Sequence, residues 1–559
     1  MIDSCIVPPE RSWFKSWPKY IPKSLEYPDV PLFENLETSA RRYPDKDAMI
    51  YYGTRISYKQ LWEDSLNFAG YLKQAGVKKG DRVSIYAPNT PHYVIAFYGI
   101  LRANAVVVTL DPMLSEEELA HLINDSGSKV LITMGYALPL INKVKDQTCL
   151  ETIIAGDFID YLPENLELPI SDFILVRGEY DQTIVKWTRI LKQKFEPPGV
   201  EVDSNSNALL IYTSGTTGER KAALHTHKAQ VATTVRTSKW LSYDSSSIHL
   251  TALPFFHVTG LNVILSASVY TGGTMVILTR WDREAAIQAV EKYRCSHWIN
   301  ITAMVVDMLA SPDISKRDIS SFLVFGGGGA PLPAVIGEKL KAMGIEYAEG
   351  FGLSEAGAAT HMNPINNCKL QCIGLPGPNV DSLIMDPVTN EIMPQGEQGE
   401  LILRSSSMFE GYWNKPEATA EAFVEYDAQK WLRTGDLGYM DDEGFFFIVD
   451  RLKRMVNRAG LKVWPTAVEG TMYRHPAIKE ACIIGVPDER VGEEVAAVIV
   501  LNENKKDQTS EEDIISWSKQ NMASYEYPRV IKFVDELPKT ATGKILWREL
   551  QEQNREKIS

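Results

Sequence analysis

The sequence predicts an α/β protein: a large N-terminal domain of two doubly wound α/β subdomains and a small β-barrel-like subdomain, then a small α+β C-terminal domain. Three observations predict this class. Strand and helix patterns alternate in two stretches, the texture turns β-rich after about residue 370, and roughly the last hundred residues form a self-contained unit. Such alternation is typical of parallel sheets covered by helices.

The first alternation covers residues 46–135. Two short β-like runs surround a glycine turn in DAMIYYGTRISYKQL, and a helical pattern follows up to Gly76. DRVSIYAP, AVVVTLD and KVLIT predict buried strands, and PHYVIAFYGILRA and SEEELAHLINDSG predict the helices between them. The stretch from Asp203 to Val305 repeats this style, with strands predicted in NALLIYTS, SIHLTALP, GGTMVILT and HWINIT. We expect one layer from each stretch.

The later part of the chain predicts different structure. GEQGELILRS and GFFFIVDRLKRMV are β-rich with tight glycine turns, which is typical of a small barrel or meander. From Ala477, a strand pair, the helix SEEDIISWSKQNM and the strand RVIKFVDEL follow. The charged segment DRLKR interrupts two apolar runs. We therefore predict an N-terminal domain at 1–450, a hinge at 451–454 and a C-terminal domain at 455–559.

The composition excludes some classes of protein. The chain has 559 residues, 44% of them hydrophobic, and a formal net charge of −14, which argues against broad nucleic-acid binding. Its first residues lack the basic patch and apolar core of a signal peptide. No apolar run approaches the roughly 18 residues that a membrane helix needs. We therefore expect no transmembrane segment. Six scattered cysteines suggest reduced thiols, so we expect a cytoplasmic protein.

A glycine-rich segment, YTSGTTGERK, follows a predicted strand at Tyr212. Glycines let a backbone approach an anion closely, and hydroxyl and N–H groups donate to phosphate oxygens. The spacing is G-x-x-G-x-x-K, which differs from the G-x-x-x-x-G-K-[ST] of P-loop proteins. Taken alone, the segment predicts either an anion site or a flexible surface loop.

A second glycine-rich segment, FGGGGAPLP at 325–333, also follows a strand pattern. A dinucleotide fingerprint would need G-x-G-x-x-G spacing and an acid about 20 residues later. The segment lacks both, and Pro331 and Pro333 would disturb the helix that such a fingerprint opens.

Together the segments resemble the adenylate-forming superfamily of acyl- and aryl-CoA synthetases, firefly luciferases and peptide-synthetase adenylation domains. YTSGTTGERK, FGGGGAPLP, EGFGLSEAG (349–357), RTGDLGYMDDEGFFFIVDRLK (433–453) and PKTATGKILWREL (538–550) stand in that family's order and spacing. The likeness runs from about residue 35 to 550 and is closest to AMP-forming acyl-CoA synthetases of the medium- or long-chain fatty acid type. It implies that a carboxylate attacks the α-phosphate of ATP to give acyl-AMP and pyrophosphate, and that the thiol of CoA then displaces AMP.

The resemblance also implies site residues. The phosphate loop would comprise Thr213, Ser214, Gly215, Thr216, Thr217, Gly218 and Lys221. Ser354 would touch the α-phosphate, and Glu355 with Thr213 would bind Mg²⁺ through hard oxygen atoms. The adenine slot would be lined by Gly328, Gly329, Ala330 and Pro331, and the segment Glu349, Gly350, Phe351 and Gly352 would complete the nucleotide site, with Phe351 stacked on the ring.

Three further residues complete the implied reaction site. Asp436, helped by Arg451, would bind the ribose hydroxyls, and Lys544 would bridge the acyl carboxylate and the α-phosphate. A lysine there stabilises charge in the transition state, so its removal should slow adenylation by about 10²–10³-fold. The implied catalytic set is thus Lys544, Thr213, Ser354, Glu355 and His257.

The C-terminal domain of this family is mobile. By the resemblance it turns about a hinge, here Lys453, so that one pose inserts Lys544 and the other presents the loop NRAGLKVWP with Gly460 near the thiol path. Arg454, Arg458 and Lys462 make this loop basic, which suggests a landing place for CoA phosphates or an ordinary solvated charge run.

Two departures from the family pattern stand out. The phosphate loop commonly reads T-G-x-P-K-G, but here Arg220 and Ala222 replace the proline and the glycine, which puts the rigidity of the loop in doubt. Asn457 stands where some relatives have a lysine, which weakens a nucleotide contact there.

The acid is specified least. The resemblance places Phe256 and His257 beside the acyl pocket, together with Gly327 and Gly352, where acetyl-specific relatives carry a tryptophan instead of Gly352. We therefore expect a medium- or long-chain fatty acid, with short or hydroxylated acids and aryl acids as alternatives. Loading of a carrier protein instead of CoA, and a nucleotide-binding protein with a dead site, are further alternatives. A homo-oligomer is compatible with the sequence.

Overall fold

The computed structural model describes residues 11–213, 220–329, 332–459, 461–488, 490–540 and 545–555. The strands are β1 (Asp47–Tyr51), β2 (Thr54–Ser57), β3 (Arg82–Tyr86), β4 (Val106–Leu110), β5 (Val130–Met134), β6 (Thr152–Gly156), β7 (Ile184–Lys186), β8 (Asn207–Tyr212), β9 (Ala222–Thr226), β10 (Ile248–Thr251), β11 (Thr274–Ile277), β12 (His297–Asn300), β13 (Val324–Gly327), β14 (Tyr347–Leu353), β15 (Ala358–Met362), β16 (Leu375–Pro376), β17 (Val380–Met385), β18 (Gly399–Ser405), β19 (Gly411–Tyr412), β20 (Phe423–Tyr426), β21 (Gln429–Met440), β22 (Phe446–Arg451), β23 (Val456–Arg458), β24 (Leu461–Val463), β25 (Ile478–Asp488), β26 (Gly492–Leu501) and β27 (Val530–Phe533).

The helices are α1 (Glu34–Arg42), α2 (Tyr58–Gln74), α3 (Pro91–Arg102), α4 (Glu116–Ser126), α5 (Leu138–Val144), α6 (Trp187–Leu191), α7 (His227–Trp240), α8 (Ala267–Thr271), α9 (Arg283–Tyr293), α10 (Thr302–Leu309), α11 (Ala334–Ala342), α12 (Pro416–Glu421), α13 (Pro465–Met472), α14 (Glu511–Asn521) and α15 (Trp547–Arg555). A π-helix at Thr259–Ser266 leads into α8. Within the described ranges, no helix has the length and apolar character that crossing a membrane requires.

Two large sheets form the α/β part. In the described residues, one has the strand order β19-β9-β8-β4-β3-β5-β6-β7, and the other β16-β15-β14-β13-β12-β10-β11-β1-β2. The inner strands pair in parallel, and β4 and β5 are buried along their whole length, which explains why they read as continuous apolar runs. The predicted strand–helix alternation and the doubly wound class are confirmed.

The assignment of one sheet to each stretch of sequence is wrong in part. β1 and β2, which open the first stretch, join the second sheet, where β1 pairs with β11. β8 and β9, which open the second stretch, join the first sheet, where β8 pairs with β4. Period and hydrophobicity identify a strand, but its neighbour depends on packing over long sequence distances.

Local capping fixes several helices. Ser57, Thr90 and Ser115 cap α2, α3 and α4 by accepting hydrogen bonds from backbone N–H groups of the first turn. The cap at Ser115 is a full capping box, because the Glu118 carboxylate also accepts from the Ser115 N–H. This fixes the start of α4 close to the glycine-rich segment.

The smaller units contain sheets that are antiparallel except for β27, which pairs in parallel with β26. In the first, β21 pairs with β18, β20 and β22, and β17 pairs with β18. In the C-terminal domain, the long hairpin of β25 and β26 carries β23 and β27 on β26, and α13 and α15 lie against β25. Two clusters of buried apolar residues fill the C-terminal domain on either face of this hairpin. The predicted α+β character of this domain is confirmed.

Candidate active site

The glycine-rich segment connects the antiparallel strands β8 and β9. The Thr213 N–H donates to the Lys221 carbonyl at 2.8 Å, which closes the base of the connection. The backbone of Lys221, just before β9, therefore lies directly beside that of Thr213, just after β8. The predicted residues Ser214, Gly215, Thr216, Thr217 and Gly218 lie outside the described residues, so their phosphate-binding role stays a prediction.

Arg220, the residue that replaces the proline, forms an ion pair with α4. Its Nε and Nη2 both lie 3.1 Å from Glu118 Oε1. Burial raises the pKa of Glu118, but the Ser115 N–H and the Arg220 guanidinium outweigh it and hold this pKa below its ordinary value. The departure from the family pattern thus brings a tether between the loop and α4.

Ser354 and Glu355 form a 3₁₀ turn directly after β14. His225 on β9 lies beneath this turn, with Nε2 2.8 Å from the Ser354 carbonyl oxygen. Burial lowers the pKa of His225 to about 4, so its ring is neutral near pH 7. Because a carbonyl oxygen only accepts, Nε2 carries the proton and donates the hydrogen bond to it. His225 was not predicted from the sequence, because a buried histidine has no local signature.

Tyr412 on β19 connects two of the predicted residues. Its hydroxyl donates to Glu355 Oε1 at 2.6 Å, and the Lys221 ammonium lies 5.2 Å from the centroid of its ring. Lys221, Ser354 and Glu355 therefore converge at one edge of the first sheet. Tyr412 was not predicted.

The predicted adenine loop starts where β13 ends. β13 and β14 pair in parallel, with Gly327 opposite Glu349. A Cβ on Gly328 would lie 2.3 Å from the Gly350 carbonyl oxygen, so the loop rests directly on β14. The structure therefore brings Gly328 directly beside Gly350. Ala330 and Pro331 lie outside the described residues.

The Glu349 side chain is buried. Burial raises the pKa of its carboxyl group to about 8. Its direct part in binding ATP stays a prediction.

The predicted ribose ligands are neighbours on adjacent strands. Asp436 on β21 and Arg451 on β22 are register partners, and Arg451 Nε lies 3.0 Å from Asp436 Oδ1. The Asp436 side chain is 4% exposed and that of Arg451 is 30% exposed, so the carboxylate is buried and the guanidinium lies on its solvent side.

The predicted acyl-pocket residues have separate surroundings. His257 Nδ1 accepts from the Thr259 N–H at 3.3 Å, and Phe256 and His257 are separated from the π-helix by Val258 alone. A Cβ on Gly352 would lie 1.8 Å from the Ala358 carbonyl oxygen, and one on Gly327 2.0 Å from that of Asn300. Close contact between strands therefore requires glycine at Gly327 and Gly352, and their role in admitting an acid stays a prediction.

The basic residues of the C-terminal domain differ in their contacts. Arg454 forms a buried ion pair with Glu469 on α13. Arg458 makes two bonds to Glu494, Nε–Oε1 at 2.6 Å and Nη2–Oε2 at 3.0 Å. Both guanidinium groups thus hold the domain together, which the sequence did not reveal because their partners lie 15 and 36 residues away.

Two other predicted residues of this region are exposed. Lys453 lies in a 3₁₀ turn between β22 and β23, and Lys462 lies on β24. Gly460 and Lys544 lie outside the described residues. The hinge, the domain boundaries and the CoA contacts stay predictions.

The arrangement suits chemistry on a polyphosphate. Lys221 supplies a cation, the strand end at Ser354 supplies a hydroxyl, and Glu355 supplies a carboxylate of the hard-oxygen type that Mg²⁺ takes. The two glycine-rich segments lie at the ends of strands of different sheets. This fold and site define an adenylate-forming acid–thiol ligase.

Comparisons with known proteins identify the family. The sequence model of the AMP-binding enzyme family matches residues 36–413, and that of the AMP-binding enzyme C-terminal domain matches residues 467–544. The chain belongs to the AMP-binding enzyme family. The predicted resemblance and enzyme class are confirmed.

Individual relatives cover nearly the whole chain. A long-chain-fatty-acid–CoA ligase of Bacillus subtilis (strain 168) is 35% identical over 560 residues, which are 98% of this chain and 99% of its own length. A feruloyl-CoA synthase of Amycolatopsis sp. is 30% identical over 514 residues, with 92% and 96% covered. ATP-bound MatB from Rhodopseudomonas palustris shares the fold with a TM-score of 0.82 at 24% identity, covering 95% of this chain and 100% of that one.

Proposed function

We propose that the protein is an AMP-forming acyl-CoA synthetase whose acid is a medium- or long-chain fatty acid. The observation that carries the proposal is the full-length similarity to a long-chain-fatty-acid–CoA ligase, combined with the convergence of Lys221, Ser354 and Glu355. An aryl acid is the second candidate, favoured by the similarity to a feruloyl-CoA synthase. The reaction takes place in the cytoplasm, where ATP and CoA are supplied.

In the first half-reaction, a carboxylate oxygen of the acid forms a bond to the α-phosphorus of ATP. The bond from that phosphorus to the bridging oxygen of pyrophosphate breaks, and pyrophosphate takes the electron pair. Lys221 neutralises charge on the polyphosphate, and the Ser354 hydroxyl donates to the α-phosphate, so both act where negative charge is concentrated. Asp436 holds the ribose, and the paired Arg451 keeps its carboxylate in place.

Mg²⁺, when bound, would neutralise further charge on the polyphosphate, and Glu355 with Thr213 would hold it through oxygen atoms. In the second half-reaction, the thiol sulfur of CoA attacks the acyl carbon, its proton is lost, and AMP leaves with the oxygen that came from the acid. Lys462, exposed on β24, is the candidate contact for a CoA phosphate.

The proposal is tested by an end-point assay with ATP, Mg²⁺, CoA and acids from acetate to palmitate, with hydroxybutyrates, coumarate and ferulate included. We expect AMP and acyl-CoA in equal amounts within one window of medium or long chains. A preference for ferulate or coumarate would favour the second candidate. Acid-dependent pyrophosphate without acyl-CoA would point to a carrier-protein acceptor and would contradict the proposal.

The two half-reactions test Lys544. We expect Lys544→Ala to abolish pyrophosphate release from ATP and acid while supplied acyl-AMP still reacts with CoA. Lys539, five residues earlier and ion-paired with Glu480, offers a matched control in the same segment. Equal loss of both half-reactions in Lys544→Ala, or the same loss in Lys539→Ala, would contradict the assigned role.

A further inference from the structure

Tyr412 occupies a place in the site that neither the motifs nor the proposed chemistry assigns. It lies on β19, which pairs antiparallel with β9, so that Tyr412 stands opposite Ala223. β9 begins one residue after Lys221. The Tyr412 backbone is fixed on both sides, because its N–H donates to Thr419 Oγ1 at 2.9 Å and the Trp413 N–H donates to the Ala222 carbonyl at 2.8 Å.

The Tyr412 hydroxyl controls one oxygen of Glu355. The distance from Oη to Glu355 Oε1 is 2.6 Å, within the range of hydrogen bonds to ionised acceptors. A carboxylate oxygen only accepts, so the phenol hydroxyl is the donor of this bond. A donor on Oε1 restricts the rotation of the carboxylate and fixes where Oε2 lies.

The Tyr412 ring meets the other charged group. The Lys221 Nζ stands 5.2 Å from the ring centroid, within the distance at which an ammonium is attracted to an aromatic face. The ring itself is held by Phe409, whose centroid lies 4.9 Å away in an edge-to-face arrangement. Ring and hydroxyl thus act on groups of opposite charge from one fixed side chain.

We propose that Tyr412 is a positioning residue that orients Glu355 through its hydroxyl and Lys221 through its ring, so that both meet the polyphosphate and the divalent cation of Mg-ATP. This inference rests on the proposed function, since it assigns those two partners to nucleotide binding. Tyr412 does not touch the reacting atoms. Groups that orient a metal ligand in this way typically change metal affinity or activity by about 10–100-fold when they are removed.

The two contacts can be separated by two substitutions. Tyr412→Phe removes the hydrogen bond to Glu355 and keeps the ring near Lys221, whereas Tyr412→Leu removes both. Tyr51→Phe is the matched control: the Tyr51 hydroxyl is also buried and hydrogen-bonded, to Thr279 Oγ1 at 2.8 Å, but it lies in the second sheet. Thermal unfolding of each variant identifies any general loss of folding.

The affinity for ATP is measured by isothermal titration calorimetry, once with Mg²⁺ and once with excess EDTA. For Tyr412→Phe we expect about 10–100-fold weaker binding of ATP with Mg²⁺ and unchanged binding in EDTA. For Tyr412→Leu we expect weaker binding in both conditions. Tyr51→Phe should match the wild type in both.

Unchanged Mg-ATP affinity in Tyr412→Phe would overturn the role of the hydroxyl. A Tyr412→Phe variant that loses affinity equally with and without Mg²⁺ would overturn it too, because the loss would then be general. If Tyr412→Leu matches Tyr412→Phe in EDTA, the role of the ring is overturned. These titrations contain no acid and no CoA, so a wild type that binds Mg-ATP but forms no acyl-CoA would contradict the proposed function alone.

Discussion

Substitution of Arg220 by alanine tests how this chain holds its predicted phosphate loop without the usual proline. Proline restricts the backbone covalently, whereas here the Arg220 guanidinium reaches Glu118 on α4 with two 3.1 Å contacts to one oxygen. The backbone bond between Thr213 and Lys221 closes the base of the loop. Loss of the ion pair should therefore release the loop from α4 and leave the strands intact.

The expected magnitude follows from the exposure of the pair. The Arg220 and Glu118 side chains are 29% and 45% exposed, so water screens the interaction, and about 0.5–1 kcal/mol is reasonable for such a pair. If this energy favours the ATP-binding form of the loop, Arg220→Ala raises the KM for ATP about two- to fivefold. The kcat should change less, because the pair lies outside the reacting groups.

The assay measures KM and kcat for ATP at about 50 mM and about 0.5 M salt. High salt shortens the screening length, so the difference between wild type and Arg220→Ala should shrink. Glu118→Gln is the partner variant, because an amide oxygen still accepts from the Ser115 N–H at the helix cap while the charge is removed. The double variant should be no worse than either single one. An unchanged KM for Arg220→Ala at low salt, or fully additive effects in the double variant, would refute the tether.

Three further predictions concern other parts of the site. Glu349→Gln should flatten the pH dependence of stability. A folded-state pKa raised from 4.5 to about 8 makes the wild type lose stability as pH rises between these values, by up to about 1.4 kcal/mol per pH unit. Urea unfolding between about pH 5 and 8 measures this loss, and an unfolding free energy that changes equally with pH in both proteins would contradict the prediction. Gly328→Ala should weaken ATP binding measured by titration, because the new Cβ would lie 2.3 Å from a backbone oxygen of the next strand, and unchanged affinity would contradict this placement of the adenine loop. Lys462→Ala should raise the KM for CoA without lowering the Tm, whereas Arg458→Ala should lower the Tm by breaking its bond to Glu494. An unchanged KM in Lys462→Ala, with a raised KM and an unchanged Tm in Arg458→Ala, would assign CoA binding to Arg458.

The sequence predicted the strands and helices of the α/β part well, because buried parallel strands read as apolar runs and α4 carries its own capping signal at Ser115. It did not predict correctly which sheet each strand joins. The hairpin of β1 and β2 lies in the sheet of the second stretch, and the hairpin of β8 and β9 lies in the sheet of the first stretch. No local pattern specifies such strand partners.

The same distinction applies to the site. Glycine-rich segments were recognisable because close backbone contacts, such as that of Gly328 with β14, exclude side chains. His225 and Tyr412 were not recognisable, because each acts through a contact made more than 50 residues away along the chain, at Ser354 and Glu355 respectively. The bonds of Arg458 to Glu494 were not recognisable either, because the two residues lie 36 positions apart.

The proposed mechanism requires that a carboxylate oxygen of the acid attacks the α-phosphate of ATP. It is tested most directly with a fatty acid labelled with ¹⁸O in both carboxylate oxygens, converted completely with ATP, Mg²⁺ and CoA and followed by mass spectrometry. The mechanism predicts AMP that carries one ¹⁸O and pyrophosphate that carries none, because the bridging oxygen of acyl-AMP leaves with AMP. Unlabelled AMP, or label in pyrophosphate, would contradict it.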